Sequence, residues 1–139
     1  MLRLNLQLDS MSSREAYFKN EYTEMWIENG ILYSKYAPNL KVTLDIAKVN
    51  VEERLKLCKG QSYPMFVYGA NLRQLDKEAG KYLSSAEGTK GIKAGAFLAE
   101  SHLDYLIMSL FVAAFSSPFP VKVFLYELKA QIWLNEFKD

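Results

Sequence analysis

Two runs, Glu21–Ile27 and Ile31–Tyr36, are rich in aromatic and β-branched residues, and Glu28-Asn29-Gly30 joins them. Asn-Gly between such runs predicts a tight β-hairpin, because both residues tolerate positive φ. Ala37-Pro38-Asn39 ends the second run. The period then changes. Leu44, Ala47, Val51, Leu55 and Cys58 recur at steps of three and four, which predicts a helix with one buried face. Thr43 is its expected N-cap, Asp45 suits the first turn, and Gly60 is the stop. Lys48, Glu52 and Lys56 fall on another face at i,i+4 spacing.

After that helix the two periods alternate. Tyr63–Tyr68 is short and apolar, as a buried strand is, with Pro64 necessarily near its start. Gly69–Leu75 reads as a loop. Asp76 is placed to cap a short helix with Ala79, Tyr82, Leu83 and Ala86 inward, and Gly80 weakens that helix by about 1 kcal/mol relative to Ala. Gly88-Thr89-Lys90-Gly91 breaks the chain, and Ile92–Ala99 is the next strand. Ser101 followed by Asp104 resembles a capping box. The helix from His102 to Phe115 is apolar on nearly every side and ends at Ser116-Ser117-Pro118-Phe119-Pro120. Val121–Leu125 is the last strand. Leu128–Phe137 closes the chain as a helix with Ala130, Trp133, Leu134 and Phe137 inward. A hairpin followed by such alternation predicts an α/β fold with a mixed, largely parallel sheet and right-handed crossovers.

The first twenty residues fit this scheme least. Leu2, Leu4, Leu6 and Leu8 alternate like a strand before the break at Asp9-Ser10-Met11-Ser12-Ser13. Residues 1–20 are therefore expected as an arm or extra edge strand, and residues 21–139 as one domain. The 139-residue length fits a single core. With 17 basic and 16 acidic residues, net charge +1, no surplus or stripe points to nucleic acid. The stretch Leu103–Phe115 is too short to span a bilayer and contains Asp104. The N-terminus has no continuous apolar core of a signal peptide, so a cytoplasmic location is expected.

Candidate chemistry is sparse. Cys58, the single cysteine, lies on the apolar stripe and reads as a small buried hydrophobe. His102, the single histidine, reads as a first-turn helix residue. Ser101, Ser109 and Asp104 are its neighbours on one helix, and no nucleophile elbow exists. One His and one Cys do not make a zinc site without several carboxylates. Gly88-Thr89-Lys90-Gly91 lacks the phosphate-loop spacing and follows a helix, so a helix-to-strand turn is expected. No catalytic residue, cofactor or metal is assigned.

Two features invite contacts. Asp76, Lys77 and Glu78 stand where a loop after a central strand enters a helix, which makes Gly69–Glu78 a candidate partner surface. The over-apolar helix carries Leu103, Leu106, Ile107, Leu110 and Phe111, more than one sheet face covers. A dimer interface is the leading expectation for it. A cavity for an apolar ligand and cover by the N-terminal arm are the alternatives.

Four stretches carry a family resemblance: Met25-Trp26-Ile27-Glu28-Asn29-Gly30-Ile31-Leu32, Glu53-Arg54-Leu55-Lys56-Leu57-Cys58, Lys77-Glu78-Ala79-Gly80-Lys81-Tyr82-Leu83, and Ser117-Pro118-Phe119-Pro120-Val121-Lys122-Val123-Phe124. Together with the element order they resemble the STAS domain, the fold of bacterial anti-sigma-factor antagonists. Within it they resemble a Bacteroidetes-type branch known as STAS-like or SpoIIAA-like. The resemblance implies a SpoIIAA-like mixed sheet and a regulatory role through protein contacts. STAS antagonists carry a phosphorylatable Ser or Thr in an Asp-x-Ser-Gly-like motif at the start of the helix after the third strand. Here that stretch reads Asp76-Lys77-Glu78-Ala79, so the acidic residue matches and the phosphoacceptor is missing. The expected function is a non-enzymatic, homodimeric binding or regulatory module with a protein partner. A carrier or sensor of a small apolar ligand or lipid is the alternative.

Overall fold

The computed structural model describes residues 14–69, 75–114 and 117–139. Ten elements run β1 (Arg14–Lys19), β2 (Thr23–Glu28), β3 (Ile31–Tyr36), α1 (Leu44–Cys58), β4 (Tyr63–Tyr68), α2 (Lys77–Leu83), β5 (Ile92–Leu98), α3 (His102–Ala114), β6 (Val121–Phe124) and α4 (Glu127–Asn135). The six strands form one sheet in chain order, β1-β2-β3-β4-β5-β6. β1, β2 and β3 pair antiparallel, and β3 to β6 pair parallel. The mixed α/β architecture expected from the alternation is the one observed.

Asn29 (φ 52°) and Gly30 (φ 76°) supply the two positive φ values of the β2–β3 hairpin. Thr43 caps α1 by accepting from the Ile46 N–H, and Lys59 in the left-handed region closes it just before Gly60. The edge strand of the N-terminal region is Arg14–Lys19, whose residues alternate between half-buried and exposed. Leu2, Leu4, Leu6 and Leu8 lie outside the described residues.

Because strand order follows chain order, right-handed crossovers put α1, α2 and α3 on the same side of the sheet. Cys58 of α1 packs on Ile27, Leu32 and Met65, and Met108 of α3 packs on Val123 and Phe97. α4 follows the last strand and covers the opposite face. Its Ala130 and Leu134 are fully buried against Trp26, Tyr33, Phe66, Ala94 and Ala96.

Two local expectations need correction, both at α2. α2 stops at Leu83, so Ala86 is exposed and no part of its inner face. The hydroxyls of Ser84 and Ser85 donate to the carbonyls of Gly80 and Tyr82, bonds that compete with helix continuation. Asp76 occupies the N-cap position of α2 with no side-chain capping bond. At α3, Ser101 accepts from the Asp104 N–H, the first half of the expected capping box, and the Asp104 carboxylate accepts from the Glu100 N–H.

The buried face of α1 also differs in its rotation. The residues turned inward are Ala47, Asn50, Val51, Arg54 and Cys58, while Leu44 and Leu55 are only half-buried. The helix is rolled so that one amide and one guanidinium enter the interior.

Candidate functional site

α1 lies toward the β1–β2 side of the sheet and packs on α2, and α3 packs on β6. Between them, over the middle strands, is a pocket of about 210 Å³. Ser34, Met65, Val67, Gly95, Phe97 and Val121 form its floor on the sheet. Phe111, Val112 and Phe119 line the α3–β6 side, and Tyr36, Asn50 and Arg54 line the α1 side. The lining is mostly apolar; Arg54 and the Asn50 amide lie on the α1 side, with hydroxyl residues such as Ser34, Thr89 and Ser117 elsewhere around it.

Glycines make this space. Gly95 has no side chain in a row of larger neighbours, and a Cβ there would sit 3.5 Å from Phe119, an ordinary contact. Gly69 is required for close approach, since its Cβ would lie 2.8 Å from the Leu98 carbonyl and against the Met108 thioether. Gly88 packs directly on the end of α2, where a Cβ would meet the Leu83 backbone at 2.8 Å.

Arg54 is 2% exposed. Its Nη1 donates to the Lys90 carbonyl at 2.7 Å and its Nη2 to the Gly88 carbonyl at 2.9 Å. Gly88-Thr89-Lys90-Gly91 is thus the expected helix-to-strand turn, and it is pinned to α1. Those bonds use two of the five guanidinium N–H groups. No carboxylate among the described residues faces the charge; its ionisable neighbours are Cys58, Tyr36 and Tyr82. Burial accordingly lowers the Arg54 pKa. Asn50 Nδ2 donates to the Tyr36 hydroxyl at 2.8 Å, and Asn50 Oδ1 is buried with no partner among the described residues. Burial pushes the Tyr36 phenol up to about 12, against the pull of Asn50 and Arg54. The Cys58 thiol is raised by burial as well, which favours the unreactive form.

The residues singled out from sequence are not brought together. Of Leu103, Leu106, Ile107, Leu110 and Phe111, only Phe111 reaches the pocket. Leu103, Leu106 and Leu110 are exposed at 62%, 60% and 74%, an apolar outer stripe on α3. Lys77 and Glu78 are exposed at the start of α2, and Asp76 donates its backbone N–H to Val42. Residues 70–74 of the candidate Gly69–Glu78 surface lie outside the described residues. His102 is exposed on the first turn of α3. Among the described residues no cluster of His, Cys, Asp and Glu is placed to hold a metal, and no helix is long and apolar enough to cross a membrane.

Sequence reasoning missed Tyr36, Asn50, Arg54 and Gly95. The available signal was the pair Asn50 and Arg54, one helical turn apart and each three residues after an inward apolar position.

Residues 25–138 match the family model described as Domain of unknown function (DUF7793). The chain belongs to that family. The matched span holds every pocket residue named above. None of the curated proteins matches the chain. Among solved structures, the DUF7793 chain is similar to a crystallised protein with unknown function from Arthrobacter sp. FB24. The two are 21% identical over 84% of this chain and 95% of the other, with a TM-score of 0.33. A TM-score that low carries no argument.

Proposed function

We propose that this DUF7793 domain is a non-enzymatic binding module that carries or senses a small, largely apolar ligand in the pocket between α1 and α3. The observation behind this reading is the pocket itself. At about 210 Å³ it exceeds the roughly 150 Å³ apolar cavity that takes up benzene. Its walls are mostly apolar, so an apolar ligand there would displace water from surface that water solvates poorly. The test is calorimetric titration with 1-octanol, a short apolar ligand of a size the pocket admits, comparing wild type with Gly95→Leu. Gly95 stands on the pocket floor with room for a Cβ, so leucine there fills the space. Saturable binding by wild type, reduced about tenfold or more in a variant that still melts cooperatively, is the expected result. No saturable binding by wild type would remove the reading.

A second reading, regulation through protein contacts by a STAS-like homodimer, is favoured by the outer stripe Leu103, Leu106 and Leu110. Sedimentation of wild type against Leu106→Glu/Leu110→Glu checks it. A dimer that becomes a monomer supports this second role; a wild-type monomer at all concentrations speaks against it.

A further inference from the structure

We propose that the ligand of this pocket is a small amphiphilic monoanion, its carboxylate held by Arg54 and its apolar part lying along Phe97, Phe111, Val112 and Phe119. The inference rests on the ligand-binding reading above and adds the chemistry of the head group.

The argument starts from charge. A buried guanidinium is costly unless it is paired. Arg54 is 2% exposed and meets two backbone carbonyls but no carboxylate among the described residues. Carbonyl dipoles offset part of the desolvation and leave the net charge in place. The two backbone bonds engage one N–H each of Nη1 and Nη2, out of five on a guanidinium, and the side chain lines the pocket. A carboxylate there would supply the missing counter-charge through charge-assisted hydrogen bonds. The backbone bonds fix the guanidinium plane before any ligand arrives, so little ordering cost falls on binding.

Shape supports the same ligand. The charged and amide members, Arg54 and Asn50, come from α1 and the Tyr36 hydroxyl from β3, whereas Phe111 and Phe119, with the small hydroxyl of Ser117 beside them, come from α3 and the approach to β6. One side of the pocket therefore suits a head group and the other a short chain or ring. At about 210 Å³ the pocket is of the same order as the roughly 150 Å³ cavity that holds benzene, which suits a short acid.

The experiment is calorimetric titration of the full-length protein with octanoate, octanol and octylamine, which share a chain and differ in head group. Octanoate is expected to bind about tenfold or more tighter than octanol, and octylamine weakest. In Arg54→Met the octanoate preference should vanish while octanol binding stays within about twofold. Because Arg54 also pins the Gly88–Gly91 turn, that variant is checked for cooperative melting. If it does not fold, the wild-type order of the three ligands decides alone. Octanol binding as tightly as octanoate would overturn the head-group assignment and leave the apolar pocket standing. No binding of any of the three would overturn both.

Discussion

The two faces of the sheet are built on opposite plans. Under α4, aromatic side chains pack in a continuous layer. Trp26 and Tyr33 are cross-strand partners and stack at 5.2 Å with planes 3° apart. Tyr33 and its partner Phe66 sit 5.2 Å apart, and Phe66 meets Tyr68 at 5.0 Å. Trp133 and Phe137 extend the layer beyond Phe124. Such contacts add roughly 0.5–1.5 kcal/mol each beyond burial. Hydroxyls at the rim hold α4 in place: Gln131 donates to Tyr33, and Tyr68 donates to Glu127. The opposite face has three helices in place of one and yet leaves a space, floored by Gly95 and edged by Arg54. Helix number does not decide how well a face is filled. Side-chain volume in the middle strands does.

Mutations on the two faces should therefore differ in kind. The largest effect is expected at Phe66, which is fully buried at the centre of the aromatic layer. Phe66→Ala should cost about 3–5 kcal/mol, read from the midpoint of urea unfolding. A smaller cost would mean that the layer is looser than its ring geometry indicates. Neighbouring residues on β5 give a sharper contrast. Ala96 faces α4 with no exposed surface, so Ala96→Leu should overpack and cost about 1–3 kcal/mol. Gly95→Leu, one residue away and pointing into the pocket, should leave stability unchanged or raise it. Equal destabilisation by the two would dissolve the distinction between the faces.

The smallest expected effect is a pH dependence. Tyr36 is held neutral by burial, with its pKa raised from 10.0 to about 12. Between those values the unfolded chain has lost the proton and the folded chain keeps it. Stability is then complete below about pH 10 and falls as pH rises toward about 12, by roughly 2 kcal/mol for this group. Tyr68 is raised in the same direction by burial and by Glu127. Tyr36→Phe should flatten part of the loss in melts at pH 9 to 12. An unchanged slope would mean that the phenol is as accessible folded as unfolded.

The fold was legible where one local cause dominates. Asn29-Gly30 announced the hairpin, Thr43 and Gly60 bounded α1, and the inward set Ala130, Trp133, Leu134 and Phe137 was readable from spacing. β1 was harder to read because an edge strand carries charges on its open side, and Arg14-Glu15-Ala16-Tyr17 does not look apolar. The pocket was illegible for a different reason. Apolar periodicity gives the width of a helix face but not its roll. A small rotation turned Asn50 and Arg54 inward and left Leu44 and Leu55 half-buried. The groups that make Arg54 tolerable inside are carbonyls of residues 34 and 36 positions away. No local pattern encodes them. The outer stripe of α3 was legible as surplus hydrophobicity, but only the structure separates Phe111, which lines the pocket, from Leu103, Leu106 and Leu110, which do not.

The order in which the layers are completed has a consequence during synthesis. Each strand from β2 to β6 adds beside one already made, so the sheet can grow as the chain leaves the ribosome. The helices over the pocket face arrive between strands and cover it as they go. The aromatic row from Trp26 to Tyr68 waits for α4, the last element. A nascent or truncated chain lacking Glu127–Asn135 would present this aromatic surface without the helix that buries it, and is expected to be aggregation-prone.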